Sequence, residues 1–267
     1  MFHLLASSSA LGVAASNTEI AASPDAEFAT PSSRFIFTED YELFAVYYVA
    51  LSATDLRLNM PTINGIGRHH VSPLQRSATI PTLPEIVDYR RDSIKIPALE
   101  SLIWEGSNNL GAATEVSTVF SFIRPAGEIF TQPRGVQSLT VAATYTITST
   151  IAAWNGPGNL TFAEQLKRGW YAIVGAQNID DNVLAFRIIL NRAPMNRGRK
   201  MRPGWLALNA VGNVGQRDFR NGLGEWGRFH TFEPPQIEIF AIAAAAQTGL
   251  LQLDLVYLGD AGGPVML

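Results

Sequence analysis

Three segments of the chain share one pattern of hydrophobic and polar positions. In residues 102–122, 170–190 and 237–258 an apolar run is followed by a short polar break and then by a run in which apolar and polar residues alternate. Alternation with a period of two residues is typical of a β-strand that buries one face. Each segment is therefore predicted to form a β-hairpin, and hairpins that recur along a chain favour a sandwich or a jelly roll.

The return strand of the last predicted hairpin shows this alternation most clearly. Leu251, Leu253 and Leu255 fall on one face of an extended chain, whereas Gln252 and Asp254 fall on the other. The first face is predicted to lie in the core and the second to face solvent.

Other segments predict strands, turns and short helices. Aromatic and β-branched residues are dense in 43–51, which predicts a strand buried on both faces, and 136–151 also has a strand pattern. Residues 155–159 form a turn cluster of asparagine, glycine and proline. Short helices are predicted over 83–89, where a proline takes the first helical position, and over 161–167, which begins with a capping box.

The predicted fold class is all-β, a jelly roll or β-sandwich with a few short helices in its loops. Two jelly-roll-like halves in one chain and a single sandwich of many strands both fit the pattern. The predicted divisions are a flexible N-terminal arm (1–33), a first β-sandwich half (34–123), a linker (124–135), a second β-sandwich half (136–258) and a C-terminal tail (259–267).

Composition narrows the class of protein. Only 16% of the 267 residues are charged, and so low a fraction indicates a surface that is partly covered by partners. The absence of cysteine excludes a disulfide framework and thiolate chemistry. The first thirty residues lack a basic segment, so no secretory signal is expected, and no apolar stretch has the length of a membrane span. A soluble protein is predicted.

No segment predicts catalysis, a metal or a cofactor. His69 and His70 are adjacent and would point to opposite faces of an extended chain. The acidic run 180–182 fits a turn, with a calcium ion as the alternative. Gly212 and Gly215 do not follow a clear strand and do not open a helix, so the sequence context argues against a phosphate-binding loop. We therefore predict no catalytic residue, no metal site and no cofactor, and a protein that is not an enzyme.

Aromatic residues supply the first candidate contact site. Trp205 and Trp226 stand among glycines, and Phe229 and Phe232 flank His230. Large aromatic side chains anchor loops and subunit interfaces, and a flat indole ring can also cover the apolar face of a sugar. All four residues are candidates for subunit contact or ligand binding.

A basic cluster supplies the second candidate. Its members are Arg192, Arg197, Arg199, Lys200 and Arg202, and no acid stands among them. The cluster could pair with acids of a neighbouring subunit, bind nucleic-acid phosphate, or form a plain solvated loop.

The chain resembles the jelly-roll capsid proteins of icosahedral viruses, in particular the double-jelly-roll lineage of bacterial and archaeal viruses. Residues 139–190 and 237–258 carry the resemblance, together with the chain length, the arm and the long Gly/Pro/Arg-rich loops, and it covers most of 35–258. It implies trimeric or hexameric capsomers with strands that stand upright in the shell, and no enzymatic activity.

The expected function is therefore that of a self-assembling structural protein. It would be a viral major capsid or capsid-associated subunit that forms the virion shell through loop-mediated contacts. Its expected partners are copies of itself, other virion proteins and encapsidated nucleic acid. Its expected location is the virion, after synthesis in the host cytoplasm. The alternative is a carbohydrate-binding β-sandwich, such as a receptor-binding spike or an adhesin module.

Overall fold

The computed structural model describes residues 1–49, 53–61, 69–71, 86–108, 115–180, 182–190, 202–207 and 222–260. Within these ranges the chain is built from β-strands and one short 3-10 turn at Pro31–Ser33. The predicted all-β class is confirmed. The chain divides into two compact units, an N-terminal unit of Leu4–Gly127 and a C-terminal unit of Met1–His3 with Glu128–Leu267.

The first ten strands belong to the N-terminal unit, except that β1 begins at the last residue of Met1–His3. They are β1 (His3–Leu11), β2 (Thr18–Ile20), β3 (Phe35–Ile36), β4 (Tyr41–Val49), β5 (Ala53–Asn59), β6 (His69–Val71), β7 (Ile86–Asp88), β8 (Ile94–Ile96), β9 (Ser101–Asn108) and β10 (Glu115–Pro125).

The remaining nine strands belong to the C-terminal unit. They are β11 (Gln137–Thr148), β12 (Trp154–Asn159), β13 (Thr161–Phe162), β14 (Trp170–Ile179), β15 (Val183–Ile189), β16 (Gly204–Leu206), β17 (Gly227–His230), β18 (Gln236–Ala241) and β19 (Ala246–Gly259).

The N-terminal unit has the strand order of a jelly roll. One sheet runs β1-β10-β4-β7 with β8 beside β4, and the other runs β2-β9-β5-β6 with β3 beside β9. Without the short β3 and β8, the eight strands in chain order form sheets 1-8-3-6 and 2-7-4-5. The first strand thus lies beside the eighth, the second beside the seventh, the third beside the sixth and the fourth beside the fifth. This is the order of one long hairpin rolled into two facing sheets.

The C-terminal unit repeats this order. Its sheets run β13-β11-β19-β14-β17 and β12-β18-β15-β16. Without the two-residue β13, its eight strands again form sheets 1-8-3-6 and 2-7-4-5. The chain therefore holds two jelly rolls of one topology, and the boundary between the units, after Gly127, falls within the segment predicted as a linker, 124–135.

Each jelly roll encloses a hydrophobic core between its sheets. In the N-terminal unit the core joins Leu5 and Val119 of one sheet to Leu56 and Trp104 of the other. In the C-terminal unit a Cβ added to Gly158 of β12 would lie 2.6 Å from the Ile147 side chain of β11, so these two strands of opposite sheets pack closely.

The strands of the three predicted hairpins exist, but the predicted pairing is wrong. β9 and β10, β14 and β15, and β18 and β19 each lie in opposite sheets. The two strands of each pair face each other across the core and do not share a hydrogen-bonded ladder. The sequence pattern is the same in both cases, because a strand that crosses to the facing sheet also buries one of its two faces.

The strongest individual strand predictions are confirmed. β11 covers nearly all of 136–151, and every residue of β4 from Tyr41 to Tyr47 is buried. In β19 Leu251, Leu253 and Leu255 are buried, whereas Gln252 and Asp254 are half-buried.

The predicted flexible arm of residues 1–33 is wrong. β1 pairs with β10, β2 pairs with β9, and Leu5 and Leu11 are fully buried in the core. Backbone hydrogen bonds also join Ser8 to Ala21 (2.8 Å) and Ser23 to Ala6 (2.9 Å). Serine and alanine make the segment look only weakly apolar, yet its large apolar side chains Leu4, Leu5 and Leu11 are fully buried.

Three predictions for short segments also fail. Thr161 and Phe162 form β13 against β11 instead of opening a helix. Residues 155–159 belong to β12, in which the register with β18 shifts between Asn155 and Gly158. The glycines and the proline there mark a bulge within a strand. Of the predicted helix 83–89, Ile86–Asp88 is β7, and residues 83–85 lie outside the described residues.

A buried carboxylate is held by three donors in the N-terminal unit. Glu42 of β4 is 4% exposed and accepts hydrogen bonds from Arg124 Nε (3.0 Å), Ser93 Oγ (2.9 Å) and Lys95 Nζ. Burial by itself raises the pKa of Glu42, but these hydrogen bonds outweigh burial and lower the pKa to about 2.

This arrangement predicts a specific acid sensitivity. A carboxylate whose folded pKa is depressed stabilises the fold above its ordinary pKa of 4.5 and loses that effect as the pH falls toward 2. We expect Glu42→Gln to be about 3 kcal/mol less stable than wild type at pH 7, and this difference to vanish near pH 2. Urea unfolding from pH 2 to 7 measures it. Glu19→Gln, which alters an exposed pair with Arg34, is the control. A constant difference between Glu42→Gln and wild type across this range would contradict the prediction.

Candidate subunit-contact site

The two candidate tryptophans lie in the core of the C-terminal unit. Trp205 is 1% and Trp226 0% exposed, and their ring centroids lie 6.3 Å apart. Phe2 packs edge-on against Trp226 at 5.3 Å. Neither indole can therefore present a face to a sugar or to another subunit, and the prediction of a contact or ligand role is wrong for both.

The glycines beside these tryptophans explain the error. A Cβ at Gly227 would lie 2.2 Å from the Leu190 side chain, and one at Gly224, where φ is +64°, would lie 2.3 Å from the carbonyl oxygen of Thr131. These glycines allow close packing of backbone against neighbouring groups, so they indicate burial and not an exposed loop.

Phe229 is also a core residue. It is 4% exposed, and its ring stacks on Tyr171 at 5.6 Å and on Phe162 at 6.4 Å. The stack joins β17, β14 and β13 on the inner side of their sheet. The prediction of a contact role for Phe229 is wrong.

Phe232 is the exposed member of the four, at 68%. The Arg168 guanidinium lies 4.8 Å from the Phe232 ring centroid, and the His230 ring lies 4.8 Å from it. Trp170 then packs edge-on against His230 at 5.3 Å. Arg168, Trp170, His230 and Phe232 form one continuous surface group, which we call the Phe232 cluster.

Strand pairing holds the Phe232 cluster in place. Trp170 opens β14 directly opposite His230, the last residue of β17. Gly169 accepts a hydrogen bond from the Thr231 backbone N–H (3.1 Å), and its own N–H donates to the Thr231 hydroxyl (3.2 Å). Gly169 has φ +141°, and a Cβ there would lie 2.8 Å from the carbonyl oxygen of Gly259. Only glycine fits this position without strain.

The cluster combines an exposed ring with a cation that stacks on it. Cation–aromatic contacts contribute about 0.5–1 kcal/mol at exposed sites and more when they are desolvated. The Phe232 backbone N–H donates to His230 Nδ1 (3.2 Å), and Arg168 lies 3.5 Å from the Asp260 carboxylate. Aromatic and arginine side chains in such an ordered arrangement are typical of interface anchors. The sequence missed Arg168 and Trp170, because the pairing of β14 with β17 brings them to Phe232.

Of the predicted basic cluster, Arg192, Arg197, Arg199 and Lys200 lie outside the described residues. Arg202 is described, and its side chain is 12% exposed. Its guanidinium donates to Glu238 Oε1, and its backbone N–H donates to His3 Nδ1 (3.2 Å). A role of Arg202 in nucleic-acid or intersubunit binding is therefore a wrong prediction, because the side chain is engaged inside its own unit.

Arg202 belongs to a buried ion cluster. Arg187 of β15 is 1% exposed and donates from Nε (3.0 Å) and Nη2 (2.7 Å) to Glu238 Oε2 of β18. Its guanidinium also lies 4.0 Å from the Trp154 ring centroid. The cluster is part of the internal structure of the sheet β12-β18-β15-β16 and presents no open face for a ligand.

The residues that the sequence suggested as possible ion sites do not form one in the described part of the chain. The Asn182 backbone N–H donates to Asp180 Oδ1 (2.9 Å), which is the bond expected of the predicted turn. His69 and His70 lie on β6, and Gly212 and Gly215 lie outside the described residues. In the described part of the chain, no three histidine or acidic side chains gather closely enough to hold a metal ion. Nor do the described residues include a helix that is long and apolar enough to cross a membrane.

Fold and surface together define a protein of two jelly rolls in tandem with an exposed cation–aromatic cluster on the second. No protein-family model and no curated protein matches the chain. Among solved structures, the PBSX exported protein XepA is similar at 9% identity and a TM-score of 0.26, over 96% of this chain and 86% of that one.

Two capsid proteins are similar at 8% identity and a TM-score of 0.23. The major capsid protein P2 from bacteriophage PM2 matches over 99% of this chain and 100% of its own. The STIV MCP matches over 94% and 97%, respectively. Scores of this size do not establish a common fold, so the jelly-roll assignment depends on the strand order alone.

Proposed function

We propose that this protein is a self-assembling, non-enzymatic structural subunit, a viral capsid or capsid-associated protein whose copies build the virion shell. The observation that carries the proposal is the repetition of one jelly-roll order in both units. Jelly rolls serve in viral capsids and also in lectins and cupins, so the fold by itself does not select a function.

Properties of the surface favour the structural role. The charged fraction of the chain is 16%, and the Phe232 cluster offers an ordered aromatic and cationic contact point. Interfaces between proteins are enriched in aromatic residues and arginine and depleted in lysine and acids. The proposed partners are therefore further copies of the chain, in trimers or larger shells, with other virion proteins and the encapsidated nucleic acid as additional partners.

The carbohydrate-binding alternative loses its physical basis. It required Trp205 and Trp226 as exposed platforms, and both are buried. A glycan-array experiment on the wild-type protein tests this conclusion, since specific glycan binding would restore the alternative.

Self-association that depends on Phe232 is the direct test of the proposal. We expect wild type to form trimers or larger species in sedimentation velocity and light scattering as its concentration rises. Phe232→Ala should raise the concentration needed for half-association by about 30-fold, as expected for loss of an interface anchor. Because Phe232 is 68% exposed, thermal unfolding of the Phe232→Ala variant should stay close to that of wild type.

Ile129→Ala is the matched control, because Ile129 is an apolar residue that is 72% exposed outside the Phe232 cluster. It should associate as wild type does. A wild-type protein that stays monomeric at every accessible concentration, with and without nucleic acid, would overturn the proposed function. Association unchanged in Phe232→Ala would remove the cluster from the interface and leave the function to other surfaces.

A further inference from the structure

One sheet of the C-terminal unit has an outward side of unusual composition. This side of β11, β13, β14 and β19, which we call the threonine face, carries six exposed threonines. They are Thr140, Thr144, Thr146, Thr148, Thr161 and Thr248.

The strand register places these threonines in adjoining rows. Thr146 of β11 lies opposite Thr248 of β19, and their hydroxyl oxygens are 3.2 Å apart. In the next row Thr144 lies opposite both Thr161 and Leu250. Ile179 of β14 continues this row beside Leu250, and it is 48% exposed. The hydroxyls and methyls of the face are thus held in fixed positions by four hydrogen-bonded strands.

The threonine face is almost free of charge. Among the outward residues of β11, β13, β14 and β19, one side chain is charged, Asp254, and its carboxylate accepts a hydrogen bond from the Thr140 hydroxyl (2.9 Å). The solvent-facing surface of a soluble domain normally carries about 25–35% charged residues of both signs. Depletion of charge is instead characteristic of the centre of an interface.

The equivalent sheet of the N-terminal unit differs in burial. There β4 occupies the position that β14 has in the C-terminal unit, and all of its residues from Tyr41 to Tyr47 are buried. Both sides of that strand are covered. The same sheet position is thus buried along most of its length in one jelly roll, whereas in the other Trp170, Val174 and Gln177 of β14 are half-buried and Ile179 is exposed.

The size of the face suits a specific contact. β11, β14 and β19 have 12, 10 and 14 residues and β13 has two, so at ~3.3 Å per residue and ~4.8 Å between strands the face covers roughly 600 Å². A stable protein–protein interface buries about 800 Å² on each partner. The Phe232 cluster adjoins this area, since Trp170 begins β14 and pairs with His230 of β17.

The chemistry of the face points to a second copy of this chain as its occupant. A threonine hydroxyl both donates and accepts hydrogen bonds, so a threonine surface can bond to an identical surface in many registers. Two copies of a strongly charged face would repel each other, whereas two copies of this face bring few like charges together. Self-complementarity of this kind is what a contact between identical surfaces requires.

We propose that the threonine face is the surface through which one copy of the chain binds another, and that the contact is centred on the rows of Thr144 and Thr146. This inference rests on the proposed function, because it names the interface of the same self-assembly. The hydroxyls and the exposed Leu250 and Ile179 side chains form the contact, and the Phe232 cluster lies at its margin.

Introduction of a charge on the face tests the proposal. We expect Thr146→Arg to raise the concentration for half-association in sedimentation velocity by on the order of 100-fold, because an unpaired charge would be buried in each contact. Gln252→Glu adds a charge to the same face with almost no change in side-chain size and should act in the same direction. Thr38→Arg, at an exposed position in the turn between β3 and β4, is the control and should associate as wild type does.

The outcomes separate this inference from the function on which it rests. Thermal unfolding close to that of wild type shows that a variant is folded, and Gln252→Glu provides the test if Thr146→Arg is not. Normal association of both folded variants beside an associating wild type overturns the threonine face alone. A wild type that never associates overturns the proposed function together with the face.

Discussion

Replacement of Glu238 by glutamine is expected to lower the free energy of unfolding of the C-terminal unit by about 3–5 kcal/mol. Glu238 lies opposite Arg187 in the β15–β18 ladder and accepts two hydrogen bonds from its guanidinium, while Arg202 donates to its second oxygen. Arg187 is 1% exposed, so water cannot solvate its charge if the carboxylate is removed. The amide of glutamine would also turn a donor toward one of the two arginines.

An exposed arginine–glutamate pair with two hydrogen bonds provides the control. Arg34 donates from Nε (2.8 Å) and Nη2 (2.7 Å) to the two oxygens of Glu19, but the two side chains are 44% and 32% exposed. Glu19→Gln should therefore change stability by less than about 1 kcal/mol. Urea unfolding followed by circular dichroism measures both variants. Equal losses in the two would show that burial of Arg187 and Glu238 does not determine the strength of their pair.

This ion cluster also shows what an unaided sequence can reveal. Arg187 and Glu238 are single charged residues inside strongly apolar strands, 51 residues apart in the chain. A lone charge of each sign in two buried strands indicates a buried pair, since isolated buried charges are too costly to keep. What the sequence could not show is that β15 and β18 are neighbours, which follows from the jelly-roll order.

The same distinction between strands and their pairing applies to the whole fold. Alternation predicts β11 and β19 well, and the density of aromatic and β-branched residues predicts β4, because burial of one face or of both is visible within a single strand. Pairing in this fold is mostly between strands distant in the chain, such as β1 with β10 and β11 with β19. The three predicted hairpins are therefore wrong in pairing although right in strands. The repeated strand order itself could be seen only in three dimensions.

Only a small part of the candidate contact site could be predicted from the sequence. Phe232 follows β17 and remains exposed, but the glycine-flanked Trp205 and Trp226 turned inward. Glycine beside tryptophan fits either an exposed loop or close packing, and the side chain of Leu190 against Gly227 shows that packing determines the outcome here. The threonine face has a visible sequence signal, the alternating threonines of 144–148, whose significance depends on the burial of the facing strands.

Replacement of Trp104 by alanine is expected to be the most damaging change in the N-terminal unit, with a loss of about 3–5 kcal/mol in the free energy of unfolding. Trp104 of β9 is fully buried and packs in the core that both sheets share. Its indole N–H donates to the Ser121 hydroxyl of β10, at 2.9 Å, so a polar contact also joins the two sheets. Alanine would leave a cavity and an unpaired hydroxyl.

Two further variants separate packing from the hydrogen bond. Trp104→Phe keeps an aromatic ring but lacks the N–H, and we expect it to lose about 2 kcal/mol. Ser121→Ala removes only the acceptor and should lose about 1 kcal/mol. Urea unfolding followed by circular dichroism gives all three values. If Trp104→Ala lost no more than Ser121→Ala, the indole would not be packed between the sheets, and the closed core of the first jelly roll would be incorrect. A graded loss that is largest for Trp104→Ala would show that the indole ring itself fills the space between β9 and β10.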